Sequence, residues 1–426
     1  MVEPSVGVPA HIALLLNESF DLNNPASVRR KLKGMASELR DQAESSQPVF
    51  TYDLQDDPRE FRVVLSGGLD LFAREGACQA PPCRLEYAAQ VARSIALMAD
   101  RVTLHDFMGE AFLDLRRRPK NEEVEALVPD LYVLKLLAPL VEAGVLQFVS
   151  PFSPTCAGCI AEFDRQAEET TSAVLRDFPC SFSVERRPEY AVVDCGDMFD
   201  PPLVVRVDNS HADEASDDEL VRWMALRSVR AALWGARDAA MLGGSLFSNS
   251  PMGLSGLLRQ EGRPLSHANL QAFAGQRAAN LPWVQGLSVA QTLELRQEAR
   301  SALPSLREFL ARKLVAQPLG ANDGKPDEYI AELREQAAAV RAELSIATSK
   351  TPSLRRSATG IVGLGISALS LATEGPATAL TTLLTTLGLI HQVPGAGEGH
   401  QQLLKAKPGY VLVAAQDILA HARGRT

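Results

Sequence analysis

The sequence predicts a helix-dominant α+β protein. Three observations carry that expectation. Short apolar runs alternate with amphipathic helical patterns as far as Asp208, helical periodicity dominates beyond it, and residues 357–390 are apolar almost throughout.

Taken in order, His11 to Leu16 is an apolar run bounded by Pro9 and Asn17, and its shortness predicts a buried strand. Pro25 to Gln47 places Val28, Leu32, Met35 and Leu39 at helical spacing on a charged helix, followed by a strand from Phe61 to Leu65. A helix over Glu86 to Ala99 leads into a strand over Arg101 to His105. Pro129 to Ala143 reads as an apolar helix closed by Gly144 in the manner of a glycine C-cap, and Val145 to Ser150 returns to strand. Tyr190 to Cys195 and Leu203 to Asp208 bracket the turn-rich GDMFDPP, a hairpin pattern.

After Asp208 the strand signals stop. The acidic run His211 to Glu219 leads into a helix from Asp218 to Leu242, and another opens at Ser288, with Gln291 at capping-box spacing, breaks at Pro304 and resumes to Val315. Residues 319–326 (LGANDGKP) read as a boundary, and Ile330, Leu333, Ala337, Val340 and Leu344 form one apolar stripe on the helix after it. The organisation expected is a mixed α/β region over 1–209 carrying the cysteine pairs, a helical region over 210–319, and a helical region over 320–426.

That last region holds the segment furthest from ordinary soluble composition. Residues 357–390 contain one charge, Glu374, and the Glu374-Gly375-Pro376 triplet splits them into two apolar halves, because proline interrupts a helix. The shape expected is a helical hairpin. Each half would span roughly 24 Å at ~1.5 Å per residue, short of the ~30 Å hydrocarbon core of a bilayer. Lys350, Arg355 and Arg356 precede it and Lys405 and Lys407 follow it, while Gly363/Ser367 and Ala368/Ala372 give small-xxx-small spacing suited to close helix packing. The pattern fits conditional insertion into membrane lipid, with self-association, and it equally fits two helices buried in the protein's own core.

At 426 residues, 46% hydrophobic and 22% charged, the chain has globular composition and enough length for two or three domains. Its net charge of -9 argues against a surface built to track nucleic-acid phosphates. The N-terminal stretch has no basic n-region and only a short apolar run, so the expected location is cytoplasmic, with peripheral or conditional membrane association. Six cysteines in such a chain read as thiols or metal ligands rather than a disulfide framework.

Cys156 and Cys159 form a C-x-x-C between a strand and a helix, a placement that resembles a thioredoxin-like active site, where the helix N-terminus lowers a thiol pKa. No Trp precedes Cys156, and Ala157-Gly158 replaces the usual Gly-Pro, which argues against redox catalysis. Structural zinc is the alternative, with Cys78 and Cys83 (C-x4-C) and Cys156 and Cys159 as the four ligands, or Cys180 and Cys195 as the second pair.

Val63 to Asp70, VVLSGGLD, resembles the phosphate-binding loop of the PP-loop ATP pyrophosphatases. The resemblance implies nucleotide binding through Ser66, Gly67, Gly68 and Asp70, with backbone N–H groups closing on pyrophosphate. Leu71 stands where that family has serine, and Pro81-Pro82 is expected to end any helix that follows. Asp194, Asp197, Asp200, Asp208 and His211 offer oxygen and nitrogen ligands for a divalent cation, and His105-Asp106 at a strand end is the remaining pair suited to acid–base work. No Walker loop, dinucleotide fingerprint or H-E-x-x-H occurs. Asp238 to Leu258 and Leu281 to Glu298 (LPWVQGLSVAQTLELRQE) are similar to segments of large bacterial proteins without assigned function, which implies a bacterial origin and a helical middle.

Three functional expectations follow. The first is a bacterial effector or toxin-like protein with a membrane-active C-terminal hairpin. The second is a non-catalytic interaction protein with a metal-stabilised N-terminal domain, and the third a nucleotide-dependent enzyme built on Ser66 to Asp70.

Overall fold

The computed structural model describes residues 2–46, 49–54, 60–73, 81–116, 119–151, 156–178, 181–186, 190–195, 203–206, 215–248, 250–260, 286–315, 326–348 and 396–423. The helix-dominant α+β expectation holds: helices surround a four-stranded parallel sheet, and a separate three-stranded sheet is antiparallel. Contacts divide the chain into two units, Met1–Asn280 with Ser288–Ala290, and Leu281–Leu287 with Gln291–Thr426.

The first unit opens with α1 (Ala10–Asn17), where a strand was expected. His11, Ile12, Ala13 and Leu15 are all buried, so this short helix is apolar on most of its faces and carries no amphipathic period to betray it. α2 (Pro25–Ser45) matches its expectation: Asn24 accepts from the Ser27 N–H at 3.1 Å, Pro25 occupies the first turn, and Val28, Leu32, Ala36 and Leu39 are buried.

β1 (Arg62–Ser66), β2 (Arg101–His105) and β3 (Leu146–Val149) then form the parallel sheet, joined by α3 (Pro81–Met98) and by α4 (Phe107–Asp114), α5 (Asn121–Glu125) and α6 (Val128–Glu142). Pro81-Pro82 does not end a helix. It starts α3, because proline lacks only a donor that the first helical turn would leave unpaired anyway. α3 and α6 are tied by the buried ion pair of Arg84 with Asp130, and Gly144 after α6 takes the left-handed conformation (φ 66°) expected of a helix-terminating glycine.

The sheet order is β3-β2-β1-β7, where β7 (Ser245–Ser248) is a strand that the sequence reading did not anticipate. It pairs with β1 in parallel register, Val63 with Ser245 through Ser66 with Ser248. The helix that precedes it, α8 (Asp217–Met241), starts in a capping box of Ser216 and Glu219 and lies over β1, with Ala239 and Leu242 packed on Val64 and Leu54. The chain runs outward from β1 to β3 and then returns to the opposite side of β1. A crevice at the carboxyl ends of the strands is the usual result of such a reversal.

β4 (Ser183–Arg186), β5 (Tyr190–Asp194) and β6 (Leu203–Arg206) make the antiparallel sheet, so the expected pairing of the last two strands is present. Val193 and Cys195 pack against Val174 and Phe178 of α7 (Ala157–Asp177) and its C-terminus, Val221, Met224 and Ala225 of α8, and Met252 of α9 (Pro251–Gln260). Cys195 is disulfide-bonded, contrary to the expectation of thiols or metal ligands throughout.

The second unit is helical among its described residues, with most of α10 (Val289–Glu298), then α11 (Leu303–Val315), α12 (Pro326–Thr348), α13 (Ala396–Lys405) and α14 (Gly409–Arg423). Leu333, Ala337 and Val340 bury the predicted stripe of α12, and the backbone of α12 passes so near Gly409 that a Cβ there would stand 2.6 Å from the Ala337 nitrogen. The hairpin segment 357–390 lies outside the described residues.

Candidate functional site

A cleft of about 600 Å³ opens at the carboxyl edge of the parallel sheet. Its floor comes from the strand ends. Ser66 closes β1, Gly67–Leu69 makes one 3-10 turn, and Asp70 follows with its side chain turned inward, 3% exposed. His105 closes β2, and Asp238 reaches the same point from the last turns of α8.

These three side chains form one buried array. His105 Nδ1 lies 2.7 Å from Asp70 Oδ2, and His105 Nε2 lies 3.2 Å from Asp238 Oδ2. The His105 backbone N–H also donates to Asp70 Oδ2 at 3.3 Å. Burial alone would pull the imidazole toward its neutral form. The hydrogen bonds and charges of Asp238 and Asp70 outweigh that pull and raise it to about 9, so at neutral pH the array contains a fixed imidazolium. With both ring nitrogens engaged by carboxylates, His105 has no free position with which to activate Ser66 as a nucleophile.

The expected His105-Asp106 pair is not formed, since consecutive side chains leave the strand end in different directions. Asp106 caps α4 by accepting from the Gly109 N–H at 2.9 Å and bonds His11 Nε2 of α1. One turn further along α4, Glu110 faces the cleft. Partial burial and repulsion from Asp106 and Asp114 raise its carboxyl to about 7, against the pull of His105, so it exchanges a proton near neutrality.

The walls differ in character. α4 contributes Phe107, Glu110 and Asp114, while α8 contributes Trp223, Arg227, Arg230 and Trp234. Arg230 pairs with Asp164 of α7 at 2.9 Å, Arg227 donates to the Ala73 carbonyl at 3.1 Å, and Arg237 lies over the Trp234 ring. Two buried polar atoms on this lining have no protein partner, the hydroxyl of Ser66 and the indole N–H of Trp234. Polar atoms buried without a partner are uncommon in native proteins, and a ligand is one means of satisfying them. Gly235 lets α8 lie closely on β1 and β7 beneath the cleft. A Cβ there would meet Leu246 at 2.8 Å and Ser66 at 3.3 Å.

Of the loop residues read from the PP-loop resemblance, Ser66, Gly67 and Asp70 line the cleft and Gly68 does not. Glu110, Asp238 and the two tryptophans escaped the sequence reading. None sits in a local motif, and Asp238, although buried within a helix, has only the buried Ala239 beside it as a local sign of packing.

Cys156 and Cys159 are exposed at the start of α7 and Cys83 is exposed in the first turn of α3, while Cys78 lies outside the described residues, as do Cys180, Asp197, Asp200, Asp208 and His211. Among the described residues no group of three or more His, Cys, Asp or Glu side chains is arranged to hold a metal ion. Cys156 caps α7, its sulfur accepting from the Cys159 N–H at 3.4 Å; this bond lowers the Cys156 thiol pKa, and the neighbouring Cys156 sulfur raises that of Cys159.

No protein-family model, curated protein or solved structure matches the chain.

Proposed function

We propose that the first unit binds a nucleotide or nucleoside in this cleft and uses Glu110 as a general acid–base group upon it. The observation that carries the reading is the cleft itself: aromatic surface, one acidic wall and one arginine-bearing wall stand at the carboxyl edge of a parallel sheet beside its reversal point. Trp223, Trp234 and Phe107 offer faces for a planar base. Asp70 and Glu110 offer acceptors for hydroxyl or amino donors, and Arg227 and Arg230 offer the positive charge that a phosphate requires. Isothermal titration of the full chain with ATP, AMP and adenosine tests it. Trp234→Ala is expected to weaken all three by roughly tenfold, the lower end of the ~1–3 kcal/mol lost when a base loses its stacking partner. Arg227→Ala is expected to weaken ATP and AMP more than adenosine. Failure of all three ligands to bind at millimolar concentration overturns the reading.

We also infer a second role from composition, for the C-terminal region. The single charge in residues 357–390 favours a hairpin that inserts conditionally into lipid. Among the described residues no helix is long and apolar enough to cross a membrane, and this segment is not among them.

A further inference from the structure

Two thiols stand together at the start of α7, away from the floor of the cleft. Cys156 occupies the cap position in an extended conformation (φ -66°, ψ 155°), and Cys159 sits three residues on, in the first turn. Both are exposed. The Cys156 sulfur accepts the Cys159 N–H at 3.4 Å, so it lies against the turn that carries the second thiol. Residues at this spacing lie close enough for a disulfide, which needs Cα atoms about 4.4–6.8 Å apart. The donors converge on one sulfur only, favouring Cys156 as the thiolate and leaving Cys159 protonated. The contrast with the other described cysteines is plain: Cys195 is buried in the core and already disulfide-bonded, and Cys83 stands in the first turn of a different helix, α3.

We propose that Cys156 and Cys159 form a reversible dithiol–disulfide site that reacts with the disulfides of small thiols. Cys156 thiolate attacks one sulfur of the small disulfide, whose S–S bond breaks and releases one thiolate, leaving a mixed disulfide on Cys156. Cys159 then gives its proton to solvent, attacks the Cys156 sulfur and displaces the second thiolate. The released thiolates take up the two protons that the cysteines lost. Two protein thiols are thereby oxidised to one disulfide and the small disulfide is reduced to two thiols. This assignment is independent of what the cleft binds. It concerns modification of the protein itself, which the replacement of Gly-Pro by Ala157-Gly158 does not oppose.

The experiment equilibrates the full chain at pH 7 in buffers of varied reduced-to-oxidised glutathione ratio, quenches with acid, alkylates, and maps each cysteine by mass spectrometry. The peptide carrying Cys156 and Cys159 is expected to pass between a doubly alkylated form and an internal disulfide, reversibly and with one midpoint. Cys159→Ser is expected to trap glutathione on Cys156. Cys156→Ser is expected to abolish the internal disulfide at every glutathione ratio and to leave Cys159 able to form only a mixed disulfide with glutathione. Both positions are exposed, so neither variant threatens the fold. Three results would each overturn the proposal: Cys156 alkylates no faster than Cys83, no internal disulfide forms at any glutathione ratio, or one equivalent of zinc binds the wild type and is lost from both single variants.

Discussion

His105 and Glu110 stand five positions apart in the chain, and both bind protons more tightly folded than unfolded. For His105 the folded pKa is raised from 6.5 to about 9, so its stabilisation is fully present below 6.5 and is lost as pH rises through 9. For Glu110 the folded pKa is raised from 4.5 to about 7; the native state therefore holds a proton that the unfolded state has released, and stability falls as pH climbs from 4.5 through 7. The two windows separate the two residues. Glu110→Gln is expected to flatten the urea-unfolding profile between pH 5 and 7, ranges set by that shift, and leave the alkaline limb in place. Asp238→Asn is expected to lower the His105 pKa seen by NMR titration and to destabilise the protein by about 1–3 kcal/mol, as expected when one partner of a buried hydrogen bond is replaced. A His105 that titrates near its ordinary value in the wild type would dismantle the fixed-imidazolium assignment.

The elements that the sequence made legible are those whose burial pattern is periodic or whose ends carry punctuation. α2 shows its stripe, α6 its closing Gly144, and α8 the acidic run that leads into its first turn. β7 shows neither. Four residues, Ser245–Ser248, are partly buried on both faces and follow two glycines, so nothing local distinguishes them from a loop, and their strand state comes from pairing with β1, distant in sequence. Gly244 makes that pairing possible, because a Cβ there would stand 2.6 Å from the Arg62 carbonyl oxygen, a backbone atom that cannot rotate away. Gly243 differs: it holds a φ of 62° with open space around it. Gly244→Ala is accordingly expected to destabilise by about 1–3 kcal/mol or more through overpacking. Gly243→Ala is expected to cost about 1 kcal/mol through backbone strain alone. Equal losses in urea melts would show that β7 does not lie tightly on β1. The candidate site was half legible for the same reason. Ser66, Gly67 and Asp70 sit in one readable loop, whereas the α8 arginines reach the cleft, and Asp238 reaches His105 beneath it, only because α8 lies over β1.

At the scale of the whole molecule, a titrating cleft occupies the first unit and the one segment of bilayer-like composition belongs to the far end of the chain. α8 and β7, which follow residue 209, belong to the same unit as β1, so the cleft depends on chain from both sides of that position. If residues 357–390 insert into lipid, full-length protein is expected to float with anionic liposomes, because Arg355, Arg356, Lys405 and Lys407 flank an apolar stretch. The variant carrying Leu369→Asp and Leu384→Asp should stay folded and remain in the soluble fraction, since a carboxylate placed in hydrocarbon costs about 2.5–3.5 kcal/mol on insertion scales and two such losses exceed what a short hairpin can offset. A wild type that does not float, with a variant that fails to fold, would instead make the segment core, and the chain's function would then rest on the cleft of the first unit. The two functions are separable by the same pair of proteins. Nucleotide binding measured on the double variant should equal that of the wild type if the cleft works independently of the hairpin, because every residue that lines it lies between Ser66 and Trp234.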